Sequence, residues 1–241
     1  MYDTCIGDSD GEGQVDSFPE EFGDLVYENE AGESTEATVS SWVKNELVPK
    51  ILDRCVRQIP NTPRPGVVFK DLVGSLLLQP FGLSLCCGMI ADWLEETTNE
   101  STLSTVDAIL SGDLGYVFAG ALGGRLMKPV ILARKPGKLQ ERVDRIQYRG
   151  SNIANLQREE GDDTTTLEVV SGSVQPGQRI LIVDDCLASG STGNGLIDYV
   201  KSQGGIVSKL ACVMELPDLG ARSRLLPHDV NCLSLLRYDG H

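Results

Sequence analysis

Histidine is nearly missing from this chain: its 241 residues hold only His228 and His241. Both stand close to the C-terminus, which argues against a histidine-based catalytic triad or zinc site. C-x-x-C pairs are lacking as well. The seven cysteines (Cys5, Cys55, Cys86, Cys87, Cys186, Cys212, Cys232) are odd in number, and no signal peptide is evident before them. A reducing, cytoplasmic setting is the expectation. Nor is there a long apolar run. The most apolar window, 72–94, is broken by Gln79-Pro80 and carries Asp92, so it reads as a loop entering an amphipathic helix, not a membrane span. Basic residues are absent from positions 1–40, which hold twelve acids. The formal charge of -14 is concentrated there, and the rest of the chain is nearly neutral. Acids, Gly and Ser with scattered apolar positions predict an acidic disordered tail over 1–38. That tail argues against nucleic acid or an anionic membrane as partner. Residues 39–241 suffice for one globular domain.

What is present is an alternation. Apolar positions at helical spacing from Val39 to Val56 predict a first helix over 39–58, opened by Ser40 and Ser41. Residues 59–66, with three prolines and a glycine, force an extended or turning connection. Short apolar runs at 105–110, 129–133, 166–170, 179–183, 206–214 and 231–236 read as buried strands. Helical patterns at 83–96, 116–127 and 193–203 lie among them. The reading is an α/β domain with a mostly parallel sheet flanked by helices, whose ligands bind beyond the carboxyl ends of the strands. Residues 135–164 are charged and show no clear period, so they read as a long loop of the kind that serves as a lid.

One stretch carries the chemistry: Ile180 to Gly195, ILIVDDCLASGSTGNG. A strand ending at Val183 would put Asp184 and Asp185 at its carboxyl end, with side chains on opposite sides of the pleat. Ala188, Ser189, Gly190, Ser191 and Thr192 then turn into a helix. Backbone N–H groups, hydroxyls and a positive helix end converge there, which makes an anion site suited to phosphate. The Walker pattern requires a lysine that this loop lacks, and the dinucleotide fingerprint requires a different glycine spacing. A sugar phosphate fits: carboxylates for ribose hydroxyls, turn for phosphate. A magnesium-dependent phosphatase or receiver domain would share the acidic pair but leaves the hydroxyl-rich turn unexplained. Cys186 reads as a small buried hydrophobe.

An apolar run, Asp-Asp, two residues, then Ala-[Ser/Thr]-Gly-x-Thr resembles the signature of the type I phosphoribosyltransferases, and most closely their adenine-specific branch. Pro63 to Leu72 (PRPGVVFKDL) resembles that branch's adenine-site segment, Leu132 to Leu139 (LARKPGKL) its pyrophosphate-side strand and loop, and Val174 to Asp185 the lead into the phosphate loop. The resemblance spans about residues 45–238. It implies transfer of a 5-phosphoribosyl group from phosphoribosyl pyrophosphate to adenine, giving AMP and pyrophosphate with Mg²⁺ carried by the substrate, in a homodimer. By the same resemblance Asp184 and Asp185 would hold ribose hydroxyls, and Ala188 to Thr192 would cradle the 5-phosphate. Arg134, Lys135 and Lys138 would meet pyrophosphate. Val68 and Phe69, with Lys70 beside them, would recognise adenine. Glu159 would exchange a proton with the base.

The chain departs from that pattern. Gly112-Asp113-Leu114-Gly115 aligns with Asp-Ser-Arg-Gly, whose arginine meets pyrophosphate or base, and Leu114 carries no charge. Ser191 stands where glycine is usual, with a β-carbon expected to crowd the phosphate or a positive φ. Glu160 replaces a lid tyrosine, and Gln140 a common proline. A catalytically impaired paralogue that serves as a non-catalytic subunit or ligand-binding partner is therefore the second reading.

Overall fold

The computed structural model describes residues 43–62, 65–96, 105–149 and 164–239, all within one compact unit, Val43–His241. The tail expected over 1–38, Pro63, Arg64 and the lid positions Glu159 and Glu160 lie outside these. Pro49 restarts the first helix. A π-helical turn, Val43–Leu47, gives way to α1, Val48–Cys55, with Pro49 in its first turn, where its missing N–H is no loss. The helix stops at Cys55, short of the expected 58, because Arg57–Pro60 is a strand, β1. It pairs antiparallel with β2, Val68–Asp71, across the Pro- and Gly-containing turn. Asp71 then caps α2, Leu72–Leu76, by accepting the Gly74 N–H at 3.0 Å, and α3 follows at Gly82–Glu96.

The main sheet is parallel throughout. β3 is Ala108–Gly112, followed by the 3₁₀ turn Asp113–Gly115 and α4, Tyr116–Leu126; β4 is Val130–Ala133. β5 spans Val143–Arg149, β6 Thr164–Val170, β7 Arg179–Leu187, α5 Ser191–Ser202, β8 Ile206–Glu215, α6 Ala221–Leu225 and β9 Cys232–Arg237. Sheet order is β4-β3-β7-β8-β9, with β7 at the centre. The near-continuous apolar runs of β3 and β7 follow from burial on both faces. Leu181 and Val183 pack toward α3 and α4, while Ile180 and Ile182 pack toward α5. Among the described residues no helix is long and apolar enough to cross a membrane.

Three expectations are corrected. The strand at 166–170 is not in the parallel sheet: it pairs antiparallel with β5 in a separate hairpin. β5 lies inside the stretch read as an unstructured loop. Ile146 is buried and Tyr148 half-buried, while Arg145, Gln147 and Arg149 face solvent, so a period of two is present but masked by polar residues. The central strand also runs past Val183 to Leu187, because β8 continues beside it and pairs Asp184 with Cys212 and Cys186 with Met214.

Candidate active site

Two adjacent acids sit in the last turn of the pleat of β7. Asp184 is buried and Asp185 partly so; the Asp185 N–H donates to Asp184 Oδ1 at 3.0 Å. Burial, then the neighbouring Asp185, hold the Asp184 carboxyl well above the usual carboxylate range, and burial raises Asp185 too. Among the described residues neither forms an ion pair. Such a pair favours a ligand that brings hydroxyl donors or a cation. Cys186 beside them is part-buried, and burial pushes its thiol up, so it behaves as an inert apolar group.

Beyond the acids the chain turns within Ala188–Gly190 and enters α5 directly at Ser191. Gly190 makes that turn possible, at φ 77° in the left-handed region, with its Cα facing Ala221 of α6: a Cβ there would meet Ala221 Cα and carbonyl oxygen at 3.1 Å. The positive φ expected at Ser191 therefore falls at Gly190, and the helix opens two residues earlier than the predicted 193. Ser189 and Ser191 hydroxyls lie 3.0 Å apart, and Thr192 donates to the Tyr148 hydroxyl at 3.3 Å. Tyr148, from β5, leans against Gly195 of α5, where a Cβ would strike its ring. Burial raises the Tyr148 phenol, and Asp184 and Asp113 act on it in the same direction.

The basic segment is clamped opposite. Arg134 and Glu168 exchange backbone hydrogen bonds at 2.8 and 2.7 Å. The buried Glu168 carboxylate also accepts the Gly137 N–H at 2.8 Å and Arg145 Nε at 3.3 Å. One side chain thus fixes the turn that bears Arg134, Lys135 and Lys138. Lys135 Nζ reaches Asp113 Oδ2 at 3.6 Å, with both groups well exposed. Asp113 holds a left-handed φ of 45°, and a Cβ on the following Gly115 would come within 2.9 Å of Asp184 Cα. The 3₁₀ turn is therefore laid flat on the acid strand. Leu114, in that turn, is 53% exposed.

Val68 and Phe69 lie on β2, both exposed. Lys70 stacks on the Tyr238 ring at 4.6 Å, and the Tyr238 N–H donates to the Glu215 carbonyl at 3.1 Å, which ties the β1–β2 hairpin to the carboxyl ends of β8 and β9. Phe69 is thus no core residue. Glu159 lies outside the described residues. Sequence reasoning missed Tyr148, Glu168 and Asp113. The alternation of β5 could have flagged Tyr148; the others carry no local signal, since each acts through a long-range partner.

A buried acid pair on the central strand, a hydroxyl-lined turn at a helix start and a clamped basic loop, on a five-stranded parallel sheet, define the class: a type I phosphoribosyltransferase. No protein-family model matches the sequence. Individual relatives do. The adenine phosphoribosyltransferase of Sorangium cellulosum (strain So ce56) is 37% identical over 182 residues, 75% of this chain and 82% of that one. That of Yersinia pestis (strain Pestoides F) is 31% identical over 192 residues, covering 80% and 94%. In solved structures, the adenine phosphoribosyltransferase of Thermoanaerobacter pseudethanolicus matches with a TM-score of 0.65 at 29% identity, over 79% of this chain and 99% of that one. The Saccharomyces cerevisiae adenine phosphoribosyltransferase, complexed with an imino-altritol bisphosphate and adenine, shares the fold with a TM-score of 0.67 at 24% identity, over 79% and 99%. The chain belongs to the adenine phosphoribosyltransferase family.

Proposed function

We propose that this protein joins adenine to the 5-phosphoribosyl group of phosphoribosyl pyrophosphate, releasing AMP and pyrophosphate. The observation that carries the reading is the buried Asp184–Asp185 pair running directly into the Ser189–Thr192 turn at the start of α5. Asp184 and Asp185 accept ribose hydroxyls; the hydroxyls and N–H groups of Ala188 to Thr192 hold the 5-phosphate. Val68, Phe69 and Lys70 receive adenine. A purine nitrogen forms the bond to ribose C1 as the bond from C1 to the pyrophosphate oxygen breaks, and Glu159 takes the proton released from that nitrogen. Positive charge grows on the sugar and negative charge on the leaving group, so Arg134, Lys135 and Lys138 contribute by neutralising the latter.

Mg²⁺ fits as an ion that arrives with the substrate. Magnesium keeps several waters and takes one or two carboxylates with substrate phosphates, and positive charge nearby would offset the burial that raises Asp184 and Asp185. When bound it supplies charge neutralisation at the pyrophosphate. Exposed Leu132 on the edge strand β4 supports a homodimer, which sedimentation equilibrium tests. The six described cysteines are all free, in keeping with a reducing, cytoplasmic setting.

The deciding experiment is AMP formation from adenine, phosphoribosyl pyrophosphate and Mg²⁺, run beside calorimetric binding of each substrate. Turnover that is lost in Glu159→Ala is the expected result. Binding without turnover would overturn it in favour of an impaired, ligand-binding paralogue.

A further inference from the structure

We propose that Arg224 is a positioning residue for the phosphate loop and places a cation at its rim. The proposal rests on the reading that Ala188 to Thr192 takes the 5-phosphate of a phosphoribosyl donor, and adds to it a side chain from 35 residues downstream of Ser189. Arg224 Nη1 donates to the Ser189 carbonyl at 2.8 Å and to the Ser191 hydroxyl at 3.2 Å. The Ser191 hydroxyl is also 3.0 Å from Ser189 Oγ, and the Ser191 N–H reaches Ser189 Oγ at 3.4 Å. Ser189, Ser191 and Arg224 close a ring of polar contacts around Gly190, whose Cα is seated on Ala221 of the same short helix.

Two consequences follow from this geometry. In a trans peptide the carbonyl and the next N–H point in opposite directions. Holding the Ser189 carbonyl on Arg224 therefore turns the Gly190 N–H away from the guanidinium and fixes it as a donor. Ser191, the departure from the family's usual glycine, supplies the second anchor. The serine that looked like an obstacle to phosphate is part of what holds the loop still. Both contacts use Nη1, and a guanidinium carries five donors in a planar fork, so the same group can serve an anion at the rim.

The test compares wild type with Arg224→Gln, Arg224→Lys, Ser191→Gly and the Ser191→Gly/Arg224→Gln double variant, in steady-state kinetics and in calorimetry with ribose 5-phosphate. Arg224→Gln should raise KM for phosphoribosyl pyrophosphate by about 10- to 100-fold, leave KM for adenine within about 2-fold, and change kcat little. Arg224→Lys should recover part of that loss by restoring charge. Ser191→Gly should weaken binding less, and add less in the Arg224→Gln background than alone. Arg224 is exposed, so melting temperatures should stay together. Unchanged KM for phosphoribosyl pyrophosphate in Arg224→Gln, or an equal rise for adenine, overturns the role of Arg224 alone. Wild-type protein that does not bind ribose 5-phosphate overturns the phosphate-loop reading, and this proposal with it.

Discussion

Gly190→Ala should damage this protein more than an alanine at another left-handed glycine, and the excess can be worked out. Gly190 and Gly177 have nearly the same φ, 77° and 75°. An L-residue there costs roughly 1 kcal/mol. A Cβ on Gly177 meets nothing within 4 Å, so that backbone term is the whole effect. A Cβ on Gly190 meets Ala221 Cα and carbonyl oxygen at 3.1 Å and Ala221 Cβ at 3.2 Å, and backbone atoms of a neighbouring helix give way poorly. Overpacking of this kind adds about 1–3 kcal/mol. With a urea m-value near 2 kcal/mol/M, the midpoint should fall by about 0.5 M for Gly177→Ala and by about 1–2 M for Gly190→Ala. If the loop moves to relieve the contact, part of the loss shifts into a raised KM for phosphoribosyl pyrophosphate, which Gly177→Ala should leave alone. Equal midpoints together with unchanged substrate affinity would refute the claim that loop and α6 are fitted through this glycine.

Leu114→Arg should raise kcat/KM for AMP formation about 10-fold or more if the missing cation limits the enzyme, since a charge-assisted hydrogen bond contributes about 1.5–3 kcal/mol; an unchanged value counts against that account. Asp184→Asn should abolish donor binding yet raise the melting temperature near neutral pH. The folded carboxyl is raised by burial and by Asp185, so its ionisation costs stability as pH climbs through that raised value. Variant and wild type should therefore converge in acid, and a melting temperature that drops at pH 8 sinks the idea. Asp107 has the opposite sign: hydrogen bonds from Arg179 Nε and N–H at 2.9 and 2.8 Å hold its carboxyl down at about 2. Its stabilisation is present above the ordinary carboxylate range and lost as pH falls toward 2. Asp107→Asn should cost about 1 kcal/mol at pH 7, after allowance for solvent screening, and next to nothing by pH 2 in urea titrations.

The parallel sheet was legible because β3, β7 and the second half of β8 are buried on both faces and so write largely apolar runs. β5 was not, since Asp144, Arg145, Gln147 and Arg149 break up the apolar signal of Val143, Ile146 and Tyr148. The start of β1 hid inside the first helical pattern: Val56 continues the apolar spacing of α1, and the pairing of Arg57 to Asp71 shows that the chain becomes extended two residues before the stretch at 59–66 that was read so. The acid pair and hydroxyl turn were readable because one continuous stretch builds them. Arg224 on Ser189 and Glu168 on Gly137 were not, because they join positions 35 and 31 residues apart through backbone atoms that no side-chain pattern records.

The departures from the family pattern fall unevenly across the site, and the asymmetry bears on rate. On the side proposed for the ribose phosphate the acid pair is intact, and the added serine is tied into a hydrogen-bonded ring with Arg224. On the side proposed for the leaving group Leu114 presents an exposed apolar side chain, and the neighbouring Asp113 occupies Lys135 at 3.6 Å. A pyrophosphate arriving there meets one fewer cation and must draw Lys135 from an existing, if weak, partner. Binding of the ribose 5-phosphate portion is common to ground and transition states, whereas neutralising pyrophosphate matters most as the bond to C1 breaks. A chain altered on the second side alone should therefore hold its donor with ordinary affinity and show its deficit in kcat, and Asp113→Asn, by releasing Lys135, should return part of it.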